Sequence, residues 1–225
     1  MPKIRLITVY DNYPFNPQLQ TGWGFSCYLR CKFGGETFER NILFDTGADS
    51  LTLLSNMEKL KIDPKQIEIV FLSHNHNDHV GGLQGFLKAN GNSAKIYYPT
   101  AFSTPANIFD GIYSTGALGS LKEQSLLVLT EKGMVIITGC AHPGIVEIIQ
   151  TAKEFLNEEV YLVLGGFHLS GASDAELKRI IKEFRELKVK KVAPSHCSGA
   201  RCRALFKEEY KENFIENGVG RIIDV

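Results

Sequence analysis

Apolar and polar residues intermix over residues 3–10, a pattern that predicts a strand. Residues 24–31 and 37–44 behave alike on either side of Gly34-Gly35, a pair suited to a tight turn, so a hairpin is expected there. After Asp45-Thr46-Gly47 the period changes. Leu51, Leu54, Met57 and Leu60 recur at helical spacing within residues 49–60. Ile67 to Leu72 is a short apolar run rich in β-branched residues, expected as a buried strand, and it leads straight into a run of histidines. A helix is expected from Val80 to about Lys88, and a strand near Lys95–Tyr98.

Residues 99–124 are rich in Gly, Ser, Thr and Pro and carry no clear period; mostly loop is expected, lying over the site. Strands at 125–130 and 134–138 flank the turn Glu131-Lys132-Gly133, and a helix (144–156) and a buried strand (160–164) follow. Ser173-Asp-Ala-Glu176 is a capping-box pattern that opens an amphipathic helix to about Leu187. A strand at 189–193, a helix from about Gly199 to Tyr210 and a last strand at 221–225 complete the order. A β-rich start followed by mixed α and β predicts an α/β (α+β) architecture of two sheets covered on the outside by helices. A doubly wound sheet fits the early hairpins poorly. With no internal repeat or low-complexity linker, residues 1–225 read as one domain.

Composition narrows the function classes. The 225 residues are 44% hydrophobic and 22% charged, with 25 Lys+Arg against 25 Asp+Glu. Zero net charge argues against a broad electrostatic footprint for nucleic acid or an anionic membrane, leaving a small molecule as the expected partner and the oligomeric state open. The N-terminal residues lack the apolar core of a signal peptide, and no run approaches the roughly 18 apolar residues of a membrane span. Five cysteines, an odd count without framework spacing, suggest a reducing, cytoplasmic setting.

The six histidines carry the chemistry. His74, His76 and His79 lie in one run with Asp78, while His142, His168 and His196 each follow a strand-like segment beside glycine or proline. Residues two apart in an extended chain point the same way, so His74 and His76 are able to share one metal, with Asp78 and His79 directed to an adjacent position. Imidazole and carboxylate suit zinc first, with iron or manganese as alternatives, in one or two sites. Burying such a cluster without a metal would demand many hydrogen-bond partners. A structural zinc site would bring cysteines at short paired spacing, and there is no Cys-x-x-Cys.

His74-Asn-His76-Asn-Asp78-His79, after a strand, resembles the His-x-His-x-Asp-His signature of the metallo-β-lactamase superfamily, and Leu43-Phe-Asp45-Thr-Gly47 resembles its upstream Asp-x-Gly motif. The resemblance implies a four-layer αββα sandwich over essentially the whole chain. It also implies that Asp45 orients metal ligands from behind. Thr138-Gly-Cys-Ala-His142-Pro-Gly, Gly165-Gly-Phe-His168-Leu and Pro194-Ser-His196-Cys-Ser-Gly199 are similar to the subgroup labelled dihydropterin–ribofuranosylaminobenzene-phosphate synthase. By that resemblance His74, His76 and His142 hold one metal, and Asp78, His79 and His196 a second. Many relatives bridge the metals with an aspartate in a Gly-Asp pair, whereas the matching positions here read Gly139-Cys140 and Gly165-Gly166. Either Cys140 replaces the bridge or no protein bridge exists.

The reading that follows is metal-assisted hydrolysis or a related transfer, in which a bound metal makes an activated water available near neutral pH. Asp78 is expected as ligand and proton acceptor, and His168 in substrate contact or proton transfer. Arg201 and Arg203, near the start of the helix after His196, are expected to hold an anionic, phosphate-bearing substrate. Three rivals account for less. Asp45-Thr46-Gly47 also looks like an aspartic protease motif, but such an enzyme needs a second aspartate and an almost all-β chain. Flavodiiron relatives have a glutamate where His76 stands. A non-catalytic module with a vestigial site would have lost ligands.

Overall fold

The strands that read as continuous apolar runs bury both of their faces, and this determines the layering. The computed structural model describes residues 3–32 and 39–225. Its strands, in chain order, are β1 (Lys3–Tyr10), β2 (Ser26–Lys32), β3 (Glu39–Phe44), β4 (Ile69–Phe71), β5 (Lys95–Tyr97), β6 (Ala106–Phe109), β7 (Ile112–Ser114), β8 (Leu126–Thr130), β9 (Gly133–Thr138), β10 (Val160–Gly166), β11 (Lys191–Ser195) and β12 (Ile222–Asp224). They form two six-stranded sheets, ordered β12-β1-β2-β3-β4-β5 and β11-β10-β9-β8-β7-β6. The helices are α1 (Ser50–Lys59), α2 (Asn77–Val80), α3 (Leu83–Asn90), α4 (Ile145–Leu156), α5 (Asp174–Glu186) and α6 (Ala200–Tyr210).

Alternation along each strand sorts side chains into three apolar layers. Val135 and Ile137 of β9 face Leu6, Leu29 and Phe44 of the other sheet, while Met134 and Ile136 face outward to Ile148, Ile149, Leu177 and Phe206 on the helices. In the first sheet Ile42 and Phe44 point to the centre, and Leu43 packs outward with Leu53, Met57 and Phe86 of α1 and α3. The result is the expected four-layer αββα sandwich.

Most expected elements are present, with two differences. The expected helix from Val80 is broken into α2 and α3. A Cβ at Gly81 would lie 2.1 Å from the Ala48 carbonyl oxygen, and one at Gly82 would lie 2.2 Å from that of Thr46. The Gly-Gly pair lets the chain lie against the 46–49 backbone and turns α3 away from the histidines. Within 99–124, expected as mostly loop, β6 and β7 form a hairpin around Asp110-Gly111 that extends the second sheet, with Gly111 at φ 77°. The Gly34-Gly35 turn lies outside the described residues. Among those described, no helix is long and apolar enough to cross a membrane, and all five cysteines are buried and free of disulfides.

The strand directions matter most for function. β3 pairs with β4, β9 with β10, and β10 with β11 in parallel, so the C-terminal ends within each group share an edge. Asp45, Ser73, Gly139, Phe167 and His196 each directly follow one of these strands or lie within two residues of its end. Ligand sites of α/β sheets favour such carboxyl ends, because the loops there are free to vary while the strands hold them still.

Candidate metal centre

Four of the histidines have one ring nitrogen tied to a supporting group. His79 Nδ1 lies 2.7 Å from Asp45 Oδ2, and His142 Nδ1 lies 2.7 Å from Glu123 Oε2. His74 Nδ1 lies 2.9 Å from Ser73 Oγ, whose hydroxyl donates to Asp45 Oδ2 at 2.7 Å. His196 Nδ1 lies 3.0 Å from Asn12 Oδ1. These acceptors call for a proton on each Nδ1, so the network assigns lone pairs to the four Nε2 atoms. The Nε2 atoms point inward: that of His74 is 3.1 Å from His76 Nδ1, and that of His79 is 3.2 Å from Cys140 Sγ. His196 Nε2 is buried without a hydrogen bond, 3.3 Å from Asp78 Oδ2.

The supporting carboxylates are themselves buried and saturated. Asp45 also accepts the Ser73 backbone N–H at 2.7 Å. Glu123 accepts the N–H groups of Cys140 at 2.9 Å, Ala141 at 2.8 Å and His142 at 2.9 Å. One carboxylate thus fixes both the loop after β9 and the imidazole it presents. The backbone here is unusual. Asp45, Ala141, His168 and His196 have φ of 53°, 63°, 55° and 48°, a region that residues with a Cβ adopt uncommonly. Such conformations persist only where the surroundings over-determine them, and they concentrate at functional sites.

Protonation follows from these surroundings. Burial, followed by the neighbouring His79, pushes His74 down to about 3, so it stays neutral. Burial alone would lower His79, but Asp45 prevails and raises it, increasing the basicity of the ring. Glu123 is held down at about 2: burial acts the other way, but the His142 ring and the backbone donors outweigh it. Asp78 is likewise held below the usual carboxylate range, as the neighbouring His196 and His79 imidazoles overcome burial. The closeness of the two thiols lowers Cys197 and raises Cys140, and the neighbouring Cys197 raises His168.

The donor atoms converge in three groups, within each of which the atoms lie within 4.8 Å of one another: Asp78, His79, Cys140 and His196; His74, Cys140 and His142; and Cys140, His168 and Cys197. His76 stands at the mouth, its ring 4.6 Å from that of His74 and 4.9 Å from that of His142. Exposed Trp23 packs on His196, ring centres 5.0 Å apart. Nitrogen, oxygen and sulfur donors with inward lone pairs, one of them a buried orphan, fit a transition metal of zinc type.

The expected residues are therefore brought together, with two exceptions. Arg201 is exposed and paired with Asp174, Nε to Oδ1 at 2.7 Å. Arg203 donates to Glu216 at 2.5 Å and to the Asn217 carbonyl at 3.0 Å, its guanidinium 3.9 Å from the Tyr13 ring centre. Both cations are paired with groups on neighbouring elements, and nothing in this geometry brings them to the histidine cluster. Sequence reasoning missed Glu123, Asn12 and Ser73 as supports, and Cys197 as a donor. Only Cys197 carried a signal, as the neighbour of His196 in a strand-end motif.

A cavity of about 230 Å³ opens beside His142 and His168, walled by Ile145, Phe167 and Leu169 and reached by Arg179. A larger one, about 480 Å³, lies at the opposite strand ends among Lys3, Arg30 and Asp224 and contains no histidine. Chemistry, not size, selects the first.

Comparison with known proteins follows this geometry. A family model described as the metallo-beta-lactamase superfamily matches residues 36–168. The chain is 29% identical to the 7,8-dihydropterin-6-methyl-4-(beta-D-ribofuranosyl)-aminobenzene-5'-phosphate synthase of Methanocaldococcus jannaschii, covering 98% of this chain and 96% of that protein. It is also similar to the crystal structure of a metal-dependent hydrolase of the beta-lactamase superfamily, with TM-score 0.81 and 27% identity over 99% of both chains. The short form of human tRNase Z shares the fold, with TM-score 0.60 and 12% identity over 97% of this chain and 98% of that one.

Proposed function

The chain belongs to the metallo-β-lactamase superfamily, and from that premise we propose that it is a metal-dependent hydrolase, or a transferase of related mechanism, acting on a small anionic substrate. The observation that carries this reading is the convergence of inward Nε2 atoms, each backed by a support at its own Nδ1. Asp78, His79 and His196 would hold one ion and His74, His76 and His142 a second, with Cys140 within reach of both groups. A metal bound there supplies Lewis acidity and an activated water at neutral pH.

The protein's own groups do the rest. Asp78 is ionised and partly open to solvent, so it is able to take a proton from the attacking group and return it to the leaving group. Asp45 and Glu123 keep the imidazoles oriented throughout, which removes reorganisation from the reacting step. The cavity beside His142 suits a substrate with a compact apolar body, and its charged rim is formed by Glu176 and by Arg179, whose guanidinium is paired with Glu183 at 2.6 Å.

A second reading, transfer onto an arylamine in pterin metabolism, is favoured by the near full-length similarity to the methanogen synthase. One experiment separates the readings. Protein purified without a histidine tag is analysed for metal, then offered phosphoesters and lactones, and separately ribofuranosylaminobenzene phosphate with a dihydropterin whose 6-methyl carbon carries a phosphate-type leaving group. Bound transition metal, reduced sharply in His74→Ala and His79→Ala, is expected together with turnover in one arm. Product containing water marks a hydrolase, and product containing the amine marks a transferase. Full activity without metal refutes both, and full metal without turnover leaves a binding module.

A further inference from the structure

One donor group has no part in the two sites just assigned, apart from a shared sulfur. Cys140, His168 and Cys197 each bring a ligand atom within 4.8 Å of the others. Cys140 and Cys197 are 4% and 5% exposed, while His168 is open to solvent. We propose that Cys140, Cys197 and His168 form a thiolate-rich metal site of their own. Its cation is soft or borderline, zinc being the best match.

The donor chemistry supports this. Two thiolates and one imidazole are a set that holds catalytic zinc while leaving one position open to water or substrate. Sulfur donors favour zinc, copper(I) or iron over magnesium, calcium or manganese. The two sulfurs are buried, while the imidazole is open to solvent and lines the cavity beside His142. Ligation releases up to two thiol protons to solvent.

The three ligands are held in place before any ion arrives. Glu123 fixes Cys140 through its backbone N–H at 2.9 Å. Cys197 sits in a single 3-10 turn, His196–Ser198, between β11 and α6. That turn is joined to the 167–170 loop twice: the Phe167 N–H donates to Ser198 Oγ at 3.0 Å, and the Ser170 N–H to the Cys197 carbonyl at 3.2 Å. His168 presents its ring from a left-handed backbone, φ 55°. Gly166 leaves the space the sulfur needs, since a Cβ there would lie 2.7 Å from Cys197 Sγ. Cys197 Sγ donates to the Cys140 carbonyl at 3.6 Å and Cys140 Sγ lies 3.2 Å from His79 Nε2, which sets the two sulfurs side by side; a ligand set joins the imidazole of His168 to them. It makes His168 a ligand where the sequence suggested substrate contact or proton transfer.

The site is tested by ligand identity, so its outcome is separate from that of the hydrolase reading. The purified metal is replaced by cobalt(II) and the near-ultraviolet spectrum recorded, where thiolate ligands give a charge-transfer band and imidazole and carboxylate give none. A band is expected in the parent. It should be weakened in Cys197→Ser, and cobalt affinity should fall about tenfold or more in His168→Ala. His168 is exposed, so that variant keeps its fold if Cys197→Ser does not. Absence of the band overturns the proposal, as does a band and affinity unchanged in both variants. Loss of the band in Cys140→Ser with none in Cys197→Ser assigns the sulfur to the histidine groups and overturns it too. In every case the histidine-bound metal remains measurable by elemental analysis.

Discussion

Glu123 does for His142 what Asp45 does for His79, through Oε2, while its Oε1 accepts the Cys140 and Ala141 N–H groups. Replacing it by glutamine puts an amide N–H₂ where two donors already point, at the backbone and Nδ1 of His142. Glu123→Gln should weaken metal binding by about 10–100-fold, the usual cost of losing an outer support, with the donors still present. Competition with a chromogenic chelator measures this, and an unchanged affinity would show that His142 orients itself. The difference between Glu123 and His142 also shows what the sequence could reveal about the site. Three histidines and an aspartate within six residues are visible because one short segment carries all four. A support need not lie there. Glu123 lies 19 residues from the ring it holds, and Asn12 lies 184 from His196, so no spacing rule reaches them. Arg201 and Arg203 show the converse: they are close in sequence to His196, yet their guanidinium groups pair with Asp174 and Glu216.

Among the elements, α1 shows how local rules and the site's scaffold meet. Asp49 caps the helix by accepting the Thr52 N–H at 2.8 Å, and it also accepts from the buried Tyr10 hydroxyl at 2.8 Å. Asp49→Ala removes the cap and strands that hydroxyl, so a loss of about 1–3 kcal/mol is expected in denaturant titration of chelated protein near pH 7. Burial would raise the Asp49 carboxyl, but the Thr52 and Tyr10 bonds hold it below its ordinary 3.8. Because the folded value is depressed, its stabilisation is present above pH 3.8 and fades as the pH falls through the folded value. The gap between parent and Asp49→Ala should therefore narrow on acidification below about pH 4; a constant gap would assign the loss to packing. Most elements were readable for similarly local reasons. The Ser173 cap of α5 is present, its side chain accepting the Glu176 N–H at 3.3 Å. The β6-β7 hairpin was hidden because its strands are short and only partly buried, although Asp110-Gly111 was a turn signal. The α2–α3 break depended on contacts with residues 46–49, which no local pattern contains.

For the whole molecule, the layering followed from strands apolar on both faces, and the convergence of the strand ends followed from their parallel pairing. The linked prediction is thermal. An ion that binds only the folded chain adds about 4 kcal/mol when present at roughly 1,000 times its dissociation constant. For a chain of this size the melting temperature should rise by roughly 10 °C with zinc. Chelation should reverse the increase, and His79→Ala should abolish most of it; equal melting with and without zinc would mean that the donors hold no ion in the folded state.

The donors are split between the sheets: His74, His76, Asp78 and His79 follow β4 of one, while Cys140, His142, His168, His196 and Cys197 follow β9, β10 and β11 of the other. A chain with one sheet formed offers only part of each histidine group, and misdocked sheets offer fragments at the wrong separation. Tight capture of an ion by those groups would thus act as an inspection step in assembly, granted to molecules whose halves have already closed in the correct register.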